Sequence, residues 1–238
     1  MIEFIHKYPV LIKVLLSVVT ITFIGTGGWL IGKEEMGDYA AKVEGKKISM
    51  QQYRSAAERM EQFYRRIYQG NIPEDMLKKM NIGQKALDAL IDKEILLLEA
   101  KKQGISVTDD EIRDAVKENK TFNDEGGNFD KKRYIDVLKA NNLTTAQYEN
   151  SLREEIAVDR LRKVVKDAVF VNDNELREAY KKQNPGKPFE EAEFQKQKDS
   201  LYRSQTMMEQ EKVMSAYMEG LKKAYKVQVN PGAVQQQS

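Results

Sequence analysis

The sequence predicts a mainly α-helical protein: an N-terminal transmembrane helix, then a multi-helix domain whose two ends meet in a small β-sheet. Three observations predict it. Residues Val14 to Gly32 carry no charge. Beyond them, apolar residues recur at helical spacing behind a series of capping signals. Short alternating stretches, "YAAKVEGKKIS" from Tyr39 and "YKVQVN" from Tyr225, stand at the two ends.

The chain has 238 residues, enough for one sizeable domain or two small ones. Its uncharged stretch, "VLLSVVTITFIGTGGWLIG", runs about 19 residues, which at ~1.5 Å per residue covers roughly the 30 Å of bilayer hydrocarbon. A cleavable signal is the competing reading. Signal cores run about 7 to 15 residues and end in an A-x-A-like site, whereas here only Gly25-Thr26-Gly27 is similar, so an uncleaved anchor is favoured. Trp29 suits an interfacial position. Charge leaves the orientation open: Lys7 and Lys13 precede the stretch, and Lys33, Lys42, Lys46 and Lys47 follow it. Counting these would keep the large domain inside, but long domains cross largely regardless of flanking charge.

After the anchor, Tyr39 to Ser49 turns at Glu44-Gly45, predicting a hairpin of Ala41–Val43 against Lys46–Ile48. Ser49 and Gln52 form a capping box for a helix bearing Tyr53, Ala56, Ala57, Met60, Phe63, Tyr64 and Ile67. Gly70 and Pro73 end it. From Glu74 to Lys102 a second helix carries Leu77, Leu87, Leu90, Ile91, Leu97 and Leu98, with Gly83 as the point of interruption and Gly104 as its stop. "LDALIDKEILLLEA", the most apolar stretch outside the anchor, is the expected central core helix.

Thr108 and Glu111 cap a helix with Ile112, Ala115 and Val116. Gly126-Gly127 then turns the chain, and Asp130 caps a helix with Tyr134, Val137 and Leu138. Asn141-Asn142 ends that helix. Thr144 and Gln147 start the next, whose face runs through Tyr148, Leu152, Ile156, Leu161 and Val165. Asn172 and Glu175 cap a helix with Leu176, Ala179 and Tyr180, and Asn184-Pro-Gly-Lys-Pro188 breaks it. One long helix is expected over about 188–225, with a closing strand at 226–230 carrying Val227 and Val229, and a flexible tail at 231–238. The strand needs a partner, and the Tyr39–Ile48 hairpin is the clear one.

Composition excludes several chemistries. Setting aside Lys7, Lys13 and Glu3, residues 33–238 hold 37 basic and 36 acidic residues, without the basic excess of a nucleic-acid binder. Cysteine is absent, and the one histidine, His6, precedes the anchor, so thiolate sites and histidine-based zinc or acid–base sites are not expected in the domain. Gly27 to Lys33 nearly spells a phosphate loop. However, Glu34 replaces the magnesium-holding hydroxyl and the glycines lie in apolar sequence, so no nucleotide is expected. Asp124, Asn128 and Asp130 hint at a calcium loop, but Phe129 and Ile135 occupy the positions that need Gly and Glu. No cofactor, metal or catalytic residue is assigned.

Three stretches, "FIGTGGWLIG" leading into "YAAKVEGKKISMQQYRSA", "LDALIDKEILLLEAKKQGISVTDDEIRDAV" and "FDKKRYIDVLKANNLTTAQYENSLREEI", resemble the SurA N-terminal domain superfamily, within it the membrane-anchored PpiD type of periplasmic chaperone. The likeness covers roughly residues 15–165. "KPFEEAEFQKQKDSL" is similar to the helix that follows the isomerase module of such proteins, and "KVQV" to their returning strand.

The resemblance implies a short cytoplasmic tail at 1–13, an inner-membrane anchor at 14–32 and a periplasmic helical chaperone domain at 33–230. Its relatives commonly carry a parvulin-type prolyl isomerase before the closing helix. Between Asn172 and Pro188 this sequence has room for about one short helix, so a chaperone without isomerase activity is expected. The implied partners are unfolded or newly translocated polypeptides, inner-membrane lipid and the protein translocon. By side-chain type, client contacts fall on Phe63, Tyr64, Met207, Met208, Met214, Tyr217 and Met218, since methionine and aromatic faces adapt to many apolar partners. The alternative is an adaptor subunit that binds one inner-membrane translocation or secretion partner.

Overall fold

A computed structural model of the chain describes residues 39–232; the stretch Val14–Gly32, expected as an anchor, and the last residues of the expected tail lie outside them. In chain order the elements are β1 (Tyr39–Val43), β2 (Lys46–Ser49), α1 (Met50–Ile67), α2 (Glu74–Lys79), α3 (Ile82–Lys102) and α4 (Asp109–Glu118). A 3-10 turn at Lys120–Phe122 follows, then α5 (Lys131–Ala140), α6 (Thr145–Asp167), α7 (Asp173–Gln183), α8 (Glu191–Ala224) and β3 (Val227–Val229). No helix among the described residues is long and apolar enough to cross a membrane. The chain divides into two compact units, one containing residues up to Ile95 together with those from Ala216 onward, the other Leu96–Ser215.

In the first unit the sheet has the order β2-β1-β3, antiparallel throughout. The terminal strand pairs with the hairpin as expected: Ala41 faces Ile48 on one side and Val229 on the other, and Val43 faces Lys46 and Val227. As the central strand, β1 is buried from Ala40 to Val43, Lys42 included, whose ammonium lies 4.5 Å from the centre of the Tyr39 ring. Glu44 takes φ 48 and Gly45 φ 82, the left-handed pair that a two-residue hairpin turn requires. Glutamate is an unusual choice there. It is held from the returning end of the chain, because the Glu44 N–H donates to the Lys226 carbonyl (2.9 Å) and the Glu44 carboxylate accepts the Lys226 N–H (2.6 Å).

The capping box at Ser49 is complete: Gln52 N–H donates to Ser49 Oγ (3.1 Å) and Ser49 N–H to Gln52 Oε1 (2.8 Å). Tyr53 and Ala57 form the buried face of α1. The expected helix over Glu74–Lys102 is two helices, and its break falls at Met80-Asn81, not at Gly83, which lies inside α3. Asn81 sits at φ 49 while its carbonyl accepts the Lys85 N–H (3.0 Å). Asparagine tolerates the left-handed region because its short amide can bond locally, so it turns the chain where no glycine is needed.

Helix α3 is the core helix, with Ala86, Leu87, Ile91, Ile95, Leu96 and Ala100 buried. Leu90, Leu97 and Leu98, expected on that face, are half-buried. Every position from Ile95 to Leu98 is apolar, so sequence periodicity has nothing there with which to choose a phase. Gly104, at φ 75, ends the helix in a Schellman motif: Ile105 N–H reaches the Ala100 carbonyl (2.9 Å) and Gly104 N–H the Lys101 carbonyl (3.0 Å). Asn142, at φ 55, closes α5 with the same two bonds, from Leu143 to Leu138 and from Asn142 to Lys139.

The second unit holds two apolar clusters. One gathers Ile112, Val116, Phe122, Tyr134 and Leu138, flanked by Tyr148, Leu152 and Ile156 of α6. Its aromatic rings meet edge-on, Phe122 to Tyr134 at 4.8 Å and Phe122 to Tyr148 at 5.5 Å. The other joins Val171, Leu176 and Tyr180 to Phe194 and Leu201 of α8.

Candidate functional site

The long helix α6 is clamped to the start of α4 and the segment before it by two arginines seven residues apart, hence on the same face two turns along. Arg153 donates to the Val107 carbonyl and to Asp109 Oδ1, both at 2.7 Å. Arg160 donates to the Ser106 carbonyl and pairs with Glu111. Glu111 also completes the capping box with Thr108. The Thr108 N–H first, and then the Arg160 guanidinium, hold the Glu111 carboxyl down to about 2.

A second clamp closes the junction between α7 and α8. Arg177 grips Glu191 with both terminal nitrogens (2.5 and 3.0 Å) and Asp173 with Nε (2.9 Å), while its guanidinium covers the Phe194 ring at 4.8 Å. Phe194 is 0% exposed. Tyr180 and Phe189 each approach it to within 5.7 Å or less, ring centre to ring centre. Lys198, ahead of Arg177, depresses the Asp173 carboxyl, and Arg177 depresses that of Glu191. Lys181 does the same for Glu178.

All four folded carboxylates titrate below their unfolded values, so the stability they lend is full above about pH 4.3 and is lost as pH falls through their folded pKa values, for Glu111 about 2. In an acid titration followed by near-ultraviolet circular dichroism, the tertiary signal should hold above about pH 4.5 and weaken as these carboxylates protonate. Arg160→Ala should move the onset of that loss upward.

Helix α6 ends beside α8. Gln210 Nε2 donates to the Lys166 carbonyl at 3.3 Å, and Lys166 Nζ pairs with Glu211 at 3.4 Å. Large apolar side chains are exposed close in sequence to these contacts: Phe170 (67% exposed) follows the end of α6, Met207 (65%) and Met208 (51%) lie about one helical turn before Gln210 and Glu211, and Val164, two residues before Lys166, lies on another face of α6. Of the residues expected to contact clients, Met207, Met208 and Phe63 (54%) are exposed, whereas Tyr64, Met214, Tyr217 and Met218 are half-buried.

Phe63 and Tyr64 lie on α1 in the first unit, their rings edge-on at 5.8 Å. Met207, Met208 and Met214 belong to the second unit, and Tyr217 and Met218 to the first. Val164 and Phe170 escaped the sequence reading. Val164 follows the buried Leu161 by three residues and Phe170 adjoins the buried Val171, so local pattern assigns both to the core. Their exposure is visible only once α8 has been placed.

The described residues form a mainly helical domain with a small antiparallel sheet, and the chain belongs to the SurA-like N-terminal domain family, whose sequence model matches residues 1–162. Among curated proteins it is similar to the periplasmic chaperone PpiD of Escherichia coli strain K12, 29% identical over 156 residues, which is 63% of this chain and 24% of that protein. It is likewise similar to the periplasmic chaperone PpiD of Haemophilus influenzae strain Rd, 26% identical over 169 residues, 67% of this chain and 26% of that protein. The chain therefore spans about a quarter of the length of the curated relatives it matches. The exposed Val164, Phe170, Met207 and Met208 lie beyond residue 162, outside the family match.

Proposed function

We propose that the chain is a membrane-tethered periplasmic chaperone that holds unfolded or newly translocated polypeptides, without nucleotide and without prolyl isomerase activity. The observation that carries this reading is the exposure of Phe170, Met207 and Met208 beside the residues that join the end of α6 to α8, in a chain whose relatives are periplasmic chaperones. Methionine adapts its shape to irregular apolar partners, and Phe170 adds a large flat surface.

Magnitude indicates how such a patch would work. A few hundred Å² of apolar surface, at about 25 cal/mol per Å², gives on the order of 5–10 kcal/mol against an association cost of about 4–15 kcal/mol. Single contacts of that strength are weak and quickly exchanged. Tethering near the site of translocation offsets the weakness by raising the local concentration.

The absence of isomerase chemistry is supported by the direct joining of α7 to α8 through residues 184–190 and by a single histidine, His6, ahead of the domain. A photocrosslinking amino acid at Met208, read by mass spectrometry of periplasmic and membrane proteins, tests the reading. A broad set of non-native clients is expected. One dominant crosslinked membrane protein would instead establish the adaptor reading.

A further inference from the structure

The end of α1, which bears Phe63 of the expected client contacts, combines features that the apolar side chains beside the α6–α8 contacts do not share. Projected at about 100° per residue, Arg59, Gln62, Phe63, Arg66 and Ile67 share one arc of the helix, and that arc contains no acidic residue. All five are exposed. The acidic side chains of the helix, Glu58 and Glu61, lie outside the arc, and Glu61 is bound to Arg65 at 2.8 Å. The outer face of α1 is thus cationic and apolar together, the composition of a segment that lies in the headgroup layer of an anionic bilayer.

Chain length puts such a bilayer within reach. The uncharged stretch ends at Gly32, and the seven steps to Tyr39 span at most about 25 Å. Tyr39 pairs with Ser49, the N-cap of α1, and the helix extends about 27 Å from there at ~1.5 Å per residue. We propose that this end of α1 docks on the anionic surface of the membrane that holds the anchor, with Phe63 and Ile67 entering the interface and Arg59 and Arg66 meeting lipid phosphates. The inference rests on the tethering part of the proposed function and is independent of client binding.

The chain has no cysteine, so Ile67→Cys gives a unique site for a nitroxide label in the full chain, reconstituted in nanodiscs containing anionic lipid. Collisional relaxation by oxygen, which concentrates in lipid, is compared with relaxation by a water-soluble nickel chelate. The oxygen-to-nickel ratio at position 67 should exceed that at an exposed reference label, Glu125→Cys, several-fold. It should fall to the reference value when Arg59 and Arg66 are both changed to Glu, and move toward that value in neutral lipid, where each lost arginine–lipid contact weakens docking about fivefold.

A ratio equal to the reference in chains that co-migrate with nanodiscs overturns the proposal while leaving tethering intact. If, in addition, an unfolded polypeptide immobilises the label, the face belongs to clients. Chains that fail to co-migrate with nanodiscs overturn the tethering reading and the docking with it.

Discussion

Phe194→Ala should destabilise the protein by about 3–5 kcal/mol, the cost of emptying a fully enclosed aromatic site, and lower its melting temperature by roughly 6–20 °C at about 2–4 °C per kcal/mol for a chain of this size. Phe194 is completely buried between Tyr180 and Phe189, with the Arg177 guanidinium across its face. Truncation removes the ring contacts and leaves that guanidinium over a void. Since domains are stable by only about 5–15 kcal/mol, the loss is a large fraction of the total. Phe63→Ala, at a site 54% exposed, is the matched control and should move stability by no more than about 0.5 kcal/mol. Urea unfolding followed by circular dichroism checks both. Equal effects would mean that the α7–α8 junction is not held by its aromatic cluster.

The second large effect concerns function with the fold intact. Changing Phe170, Met207 and Met208 together to Asp places three charges where a client would have to strip them of water, and burying an unpaired carboxylate costs several kcal/mol. Suppression of aggregation of an unfolded test protein should fall at least tenfold, since about 1.4 kcal/mol already corresponds to a factor of ten. The three positions are exposed, so the melting temperature should stay within a few degrees of the parent. Undiminished suppression by this variant would place client binding elsewhere on the chain.

Much of the fold is local chemistry and was legible for that reason. Each capping box, at Ser49, Thr108, Thr144 and Asn172, closes over three residues, so four letters of sequence contain the whole interaction. The hairpin and the returning strand were legible from alternation and from the need of a lone strand for a partner. The arginine clamps were not. Arg153 and Arg160 reach partners between 44 and 54 residues away, and nothing in their neighbourhood marks them among many charged residues.

The candidate site was half legible, and α8 shows why. Its buried positions are Phe194, Leu201 and Leu221, spread over a helix of 34 residues, with no continuous apolar stripe to set a phase. Side-chain type could find the methionines but could not say that Met207 and Met208 face solvent while Met214 and Met218 are half-buried. Phe170, Met207 and Met208 stand beside residues that join the end of α6 to α8 through the Lys166 contacts, a long-range contact that no local pattern marks.

The most direct measurement is light scattering from a chemically unfolded test protein diluted into buffer with the full chain at one-to-one ratio, without nucleotide. Aggregation should be delayed in proportion to the amount of chain added, and the rate of proline-limited refolding of a separate substrate should stay at its uncatalysed value. Scattering identical to that of the test protein alone, or accelerated proline isomerisation, would contradict a chain that holds non-native polypeptide on exposed apolar surface and does nothing more to it.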